Sequence, residues 1–277
     1  MTYSLVARDS ATGELGVAVQ SRSFGTGAVV PWAKAGVGAV ATQSFTLRSY
    51  GPLALELLAE GVEPAAALAQ LTEADELRDF RQVALVDGDG GTAVHTGAAC
   101  IQSKGSVAGN SYSAQGNMLA SDDVVPALGR AFEAAEGTLA ERLLEGLEGA
   151  ESAGGDFRGR EAGGILVVPA EAADPWQTVI DLRVDNHPDP LGELRRLLEH
   201  ALALRRLRRA APDELGDEVE RARAAGVDDD VVRWLAAMAL ALHDPEQAES
   251  WLAPLSPPDR WRAALRSATE GLERSPA

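Results

Sequence analysis

The sequence predicts an α+β fold in which two β-sheets stack face to face between helical layers, followed by a helical appendage. Three observations predict it. Two alternating apolar hairpins occupy the first hundred residues, a later pair of strands begins near Gly163, and amphipathic helices separate them. From Leu191 onward the pattern turns wholly helical.

Thr2 to Asp9 alternates as a strand, Gly13 marks a turn, and Leu15 to Ser21 returns as its hairpin partner. A glycine-punctuated loop from Arg22 to Ala28 follows; it lacks the lysine-serine pattern of a phosphate loop. Ala35 to Ser44 is a run of small residues suited to a buried strand. Tyr50-Gly51-Pro52 opens one helix, reaching Glu60, and Pro64 opens another, reaching Leu71. Arg81–Val86 and Gly91–Thr96 alternate around Asp87-Gly88-Asp89-Gly90 as a second hairpin. Ser106 to Leu119 is a polar concentration without apolar period. Helices are expected over 122–136 and 139–147, and strands over Gly163–Val168 and Thr178–Asp185. A long helix runs from Leu191 to Ala210, Pro212 breaks it, and four short helices follow, with Trp234, Trp251 and Trp261 at apolar positions. The expected domains are therefore 1–205 and a helical C-terminal module, 206–277, resembling helix-hairpin repeats.

The composition bounds the function. A net charge of −17 repels nucleic acid and anionic lipid, so neither is expected as a partner. The single Cys100 excludes an internal disulfide and offers no thiolate metal pair. No secretory signal or bilayer-long apolar stretch is visible, so a cytoplasmic protein without cofactor is expected.

The chemistry is expected at Thr2. Removal of Met1 would leave a free α-amine and a hydroxyl on one residue. With an unperturbed pKa of roughly 7.7–8.0, that amine can take the hydroxyl's proton. Lys34, one of two lysines against 23 arginines, is set among apolar neighbours and could keep a hydroxyl nucleophilic. A surface lysine is the equal alternative. Gln115 and Asn117 carry amide donors for an oxyanion, and Arg158 and Arg160 beside Asp156 could hold a carboxylate or form a solvated ion pair. His95 reads as an ordinary strand residue. Asp181, Asp185 and His187 are hard-ligand types, but Arg183 between the acids reads as a charge ladder rather than a metal cage.

Several of these segments, taken together and in order, resemble the DUF1028 family over roughly residues 1–200. They are Thr2 to Asp9, Leu15 to Ser21, Val30 to Gln43, Gln115 to Leu119, the Gly155–Arg160 loop and Asp181 to Pro190. The resemblance implies the N-terminal-nucleophile hydrolase superfamily and its four-layer αββα sandwich. It further implies an amide-bond hydrolase with Thr2 as nucleophile, and the Thr2-to-Lys34 spacing resembles that of proteasome-type members. On this reading Thr2, Lys34, Gln43 and Asn117 are catalytic, and Gln20, Ser21, Arg22, Ser44, Asp156, Arg158 and Arg160 bind a small amide or peptide. The alternatives are a metal-assisted hydrolase using Asp181, Asp185 and His187, and a non-catalytic binding relic of the same fold. The C-terminal helices, outside the family motifs, are expected to serve docking or homodimer formation.

Overall fold

The structure, a computed structural model, describes residues 2–171, 174 and 177–274, the last four by their backbone alone. Met1, and with it the expected processing, lies outside the described residues. Contacts divide the chain into two compact units, residues 1–195 and 196–277.

The first unit contains two antiparallel sheets. The six-stranded sheet is built from β1 (Thr2–Arg8), β2 (Leu15–Ser21), β7 (Gly105–Gly109), β8 (Tyr112–Asn117), β9 (Ala162–Val168) and β10 (Ile180–Val184), in the order β10-β9-β2-β1-β8-β7. The other is β3-β4-β5-β6, with β3 (Pro31–Lys34), β4 (Gly38–Ser44), β5 (Arg81–Asp87) and β6 (Thr92–Thr96). Both expected hairpins form, β1 with β2 and β5 with β6. The sequence predicts no separate strand at β3 and only a polar stretch at β7 and β8.

Side chains on alternate residues decide the layers. Val6, Val17 and Val19 of the first sheet share one core cluster with Ala39, Ala41, Ala84 and Val86 of the second. The small alanines allow close approach there. The outer face of the four-stranded sheet takes α1 (Tyr50–Ala59) and α2 (Pro64–Glu73), whose Ala54, Leu58, Ala67 and Leu68 cluster with Val40, Val83 and Leu85. Helices α3 (Val124–Ala134) and α4 (Leu139–Ser152) pack on the six-stranded sheet. A capping box starts α4: Thr138 accepts from the Glu141 amide, and Glu141 accepts from the Thr138 amide at 2.8 Å.

The boundary between units falls inside α5 (Pro190–Arg209), earlier than the expected residue 205. In the first unit Arg195 pairs with Glu145 and Glu148 of α4, which ties the opening turns of α5 to the sheet layer. Later turns supply Ala203 and Leu207 to a separate core with Leu215, Val219, Val232, Ala236, Leu240 and Leu252. That second unit continues through α6 (Leu215–Ala224), α7 (Asp229–Leu240), α8 (Pro245–Leu252) and α9 (Pro258–Arg274), and the Trp234 and Trp261 rings stand 5.5 Å apart. Among the described residues, no helix is long and apolar enough to cross a membrane.

Candidate functional site

β1 is flanked by β2 and β8, and the register places Thr2 against Asn117 on β8. The Tyr3 hydroxyl reaches down to Glu151 of α4 at 2.7 Å, so Thr2 and Ser4 face the opposite way, toward the second sheet. Burial, then the neighbouring Glu151 carboxylate, raises the Tyr3 phenol well above its usual range, and it remains a neutral donor.

On the inward face Thr2 is 6% exposed. Its hydroxyl donates to Ser21 Oγ across 3.1 Å. From the opposing sheet Gln43 Nε2 donates to the Thr2 carbonyl oxygen at 3.3 Å and to Gln82 Oε1 at 2.8 Å. Asn117 Nδ2 donates to the same Gln82 oxygen, also at 2.8 Å. Gln115 Nε2 donates to Ser4 Oγ and to the Ala41 carbonyl, both at 3.2 Å. All of these side chains are buried. A polar cluster thus closes one end of the space between the sheets, where an apolar core would cost no desolvation. The residues directly after Gln43 and Asn117 are Ser44 and Met118, and both have left-handed backbones, with φ of 70° and 56°. Such conformations are uncommon outside glycine and tend to gather at functional sites.

The segment at Asp156 spans the start of β1. It bridges to Leu119 just beyond β8 and accepts at 2.9 Å from the backbone amide of Arg22 just beyond β2. The Asp156 carboxylate also accepts from the Arg158 amide at 2.8 Å and pairs with the Arg158 guanidinium at 3.1 Å. Arg160 pairs with Asp189 and Glu151, at 3.3 and 3.7 Å, and Arg22 donates to the Arg160 carbonyl at 3.0 Å. Arg22, Arg158 and Arg160, all three expected to bind substrate, are therefore engaged within the chain.

The structure brings Thr2, Ser21, Gln43 and Asn117 together, with Asp156 and Arg22 beyond the strand ends. Lys34 is not brought there. It pairs with Gly38 at the far end of β4, five residues from Gln43, about 17 Å along the strand. It is exposed and shares its side of the sheet with Gly38, whose absent Cβ would touch Leu58 of α1. Lys34 can assist neither from that end nor from that face. Gln20 pairs with Tyr3 and shares its outward face, so it too turns from Thr2. Ser44, one residue past Gln43, pairs with Arg81 at the end of β4. His95 Nε2 lies 2.8 Å from the Arg78 carbonyl, as an ordinary strand residue would. Asp181 forms a two-point pair with Arg183, at 3.1 Å each, and His187 Nδ1 accepts from the Asp189 amide at 3.0 Å. Among the described residues, no three His, Cys, Asp or Glu side chains are grouped to hold a metal ion. The residue that sequence reasoning missed is Gln82, at the centre of the cluster.

Comparison with known proteins agrees with the first unit's extent. The model of DUF1028, a family of unknown function, matches residues 2–194. A crystal structure of protein SPO2555 from Silicibacter pomeroyi, assigned to the same family, is 34% identical, with a TM-score of 0.67, over 72% of this chain and 85% of that one. Anbu, an ancestral β-subunit from Yersinia bercovieri, aligns over 72% of this chain and 94% of its own, at 14% identity and a TM-score of 0.35. That likeness is too slight to carry an argument. No curated protein matches the chain.

Proposed function

The chain belongs to the DUF1028 family, and we propose that it is an amide-bond hydrolase whose nucleophile is the Thr2 hydroxyl. In this reading the two sheets and their helices form the four-layer αββα sandwich of N-terminal-nucleophile hydrolases. The observation that carries the reading is the Thr2 hydroxyl itself, buried at a strand end and bonded to Ser21 Oγ, on a residue whose carbonyl is held by Gln43 of the other sheet and whose strand partner is Asn117. The left-handed backbones at Ser44 and Met118, beside those amides, support it.

The steps use this chain's own groups. Removal of Met1 exposes the Thr2 α-amine, which takes the proton from Oγ as Oγ attacks the carbonyl carbon of a small amide or peptide. Ser21 Oγ accepts from the hydroxyl beforehand and sets its direction. The tetrahedral oxyanion is met by Asn117, whose Nδ2 has one hydrogen committed to Gln82 and a second to offer. Both hydrogens of Gln43 Nε2 are spent, on Gln82 and on the Thr2 carbonyl, so Gln43 orients the nucleophile's backbone. The amine then protonates the leaving nitrogen, the C–N bond breaks, and an acyl ester on Thr2 remains. Water, deprotonated by the same amine, releases the carboxylic acid and restores the hydroxyl.

A strained β-lactone tests this without knowledge of the substrate, because it acylates an activated hydroxyl. Thr2→Ala is expected to abolish acylation and Thr2→Ser to retain part of it. An N-terminal tag that cannot be cleaved turns the base into an amide and should cost about 10²–10⁴-fold. Native rates in Thr2→Ala or in the tagged protein would sink the proposal.

A further inference from the structure

Gln82 belongs to the second sheet, both polar atoms of its buried side chain are hydrogen-bonded, and its oxygen holds the amides of Gln43, which bonds the Thr2 carbonyl, and Asn117, which pairs with Thr2. Its Oε1 accepts from Gln43 Nε2 and from Asn117 Nδ2, at 2.8 Å each. Its two Nε2 hydrogens are shared among three acceptors, the Gly116 carbonyl at 2.9 Å, Thr96 Oγ1 at 3.0 Å and the Gly105 carbonyl at 3.3 Å. The amide therefore has one permitted orientation. Turned over, its NH₂ would meet two other NH₂ groups, and its oxygen would meet two carbonyls. The locked oxygen fixes which end of the Gln43 and Asn117 amides faces inward. Both must present nitrogen.

We propose that Gln82 is a positioning residue for the Thr2 reaction, a role that rests on the nucleophile reading above. By holding Asn117 Nδ2 it aims that group's second N–H at the developing oxyanion. Through Gln43 it also steadies the Thr2 carbonyl, and with it the start of β1. The bridge crosses from β5 to β8 and β7, so it couples the two sheets at the point where the nucleophile emerges. Gln82 touches neither the Thr2 hydroxyl nor the reacting atoms, and acts only through its partners.

The test uses the full chain, with Met1 removal checked by intact mass, and β-butyrolactone as the acylating probe. The maximal acylation rate of Thr2 and the half-saturating probe concentration are measured for wild type, Gln82→Met, Asn117→Ala and the double variant. Gln82→Met removes all the polar atoms at nearly constant length. Its maximal rate is expected to fall about a hundredfold, as misplaced reacting groups do, while half-saturation changes little. The double variant should be no slower than Gln82→Met, because the donor that Asn117→Ala removes is one that Gln82→Met has already released. Should Gln82→Met not fold, Gln82→Asn keeps the amide and withdraws it by one methylene, and the same rate loss and coupling are expected. A folded Gln82 variant acylated at the native rate, or rate losses that multiply in the double variant, would overturn the role of Gln82 alone. Failure of the wild type to acylate at Thr2 would overturn the nucleophile reading and this inference together.

Discussion

Asp75 is the acid-sensitive link of the four-stranded sheet, and substituting it should cost stability in a pH-dependent way. The carboxylate lies just beyond α2, with a side chain 12% exposed, and pairs with Arg81 at the start of β5 at 2.7 Å. It also accepts from the Leu77 amide at 2.9 Å and from the Tyr50 hydroxyl of α1 at 3.0 Å. The Arg81 hydrogen bond is the main cause that lowers its pKa from 3.8 to about 2, against the opposing effect of burial. Burial, then the bond to Asp75, raises the Tyr50 phenol beyond its usual range, so it stays a donor. A depressed folded-state pKa contributes stability that is fully present above the unfolded value near 4. That stability is lost as pH falls through the folded value near 2. The shift corresponds to about 2 kcal/mol at pH 7 and about 1 kcal/mol at pH 3. Asp75→Asn should lose that contribution, and the gap to wild type should narrow by about half between pH 7 and pH 3. Cys100 is the reporter, being the only cysteine, buried, with its Sγ 3.3 Å from the Arg81 carbonyl. Its labelling by a pyridyl disulfide that reacts in acid, followed across a urea series at both pH values, gives the unfolding free energy of this region. A gap below 0.5 kcal/mol at pH 7, on the order of a surface substitution, or one equal at both pH values, would refute the reasoning.

Lys34→Met is expected to leave β-lactone acylation of Thr2 within twofold of wild type, since the side chain is exposed at the far end of its strand; a loss of tenfold or more, an effect of about 1.4 kcal/mol, would restore it to the mechanism. Gly38→Ala should destabilise the first unit by about 1–3 kcal/mol, the cost of overpacking, because the added Cβ would stand 2.7 Å from both Leu58 Cδ1 and the Val86 carbonyl oxygen. Urea unfolding read at Cys100 measures it, and an unchanged midpoint would contradict the close approach.

Much of this fold was legible because its strands alternate and its helices carry marked ends. Pro64 and Pro245 open helices where the sequence places them, and Val17 and Val19 point into the core that their period predicts. β8 was not legible as a strand for a physical reason. Its inward residues are Ser113, Gln115 and Asn117, so the apolar period that announces a half-buried strand is missing. The polarity that hid the strand belongs to the candidate site. Gln82 was hidden differently: its partners Gln43, Thr96, Gly105, Gly116 and Asn117 come from four other strands, and no local pattern links them. The case for Lys34 rests on its apolar neighbours and its spacing from Thr2, with a surface lysine as the equal alternative, and neither signal tells which face of the strand carries the side chain. Gly36, with φ of 68°, marks a turn immediately after Lys34, and that turn could have placed the lysine away from the site.

The central claim is that Thr2 carries both the attacking oxygen and the base. Its most direct measurement is the mass of the protein before and after exposure to β-butyrolactone, with the adduct mapped by N-terminal peptide sequencing. The account predicts a chain beginning at Thr2, one added lactone mass, and that mass on the Thr2 side chain. A chain that keeps Met1, or an adduct on another residue with Thr2 unmodified, would contradict it.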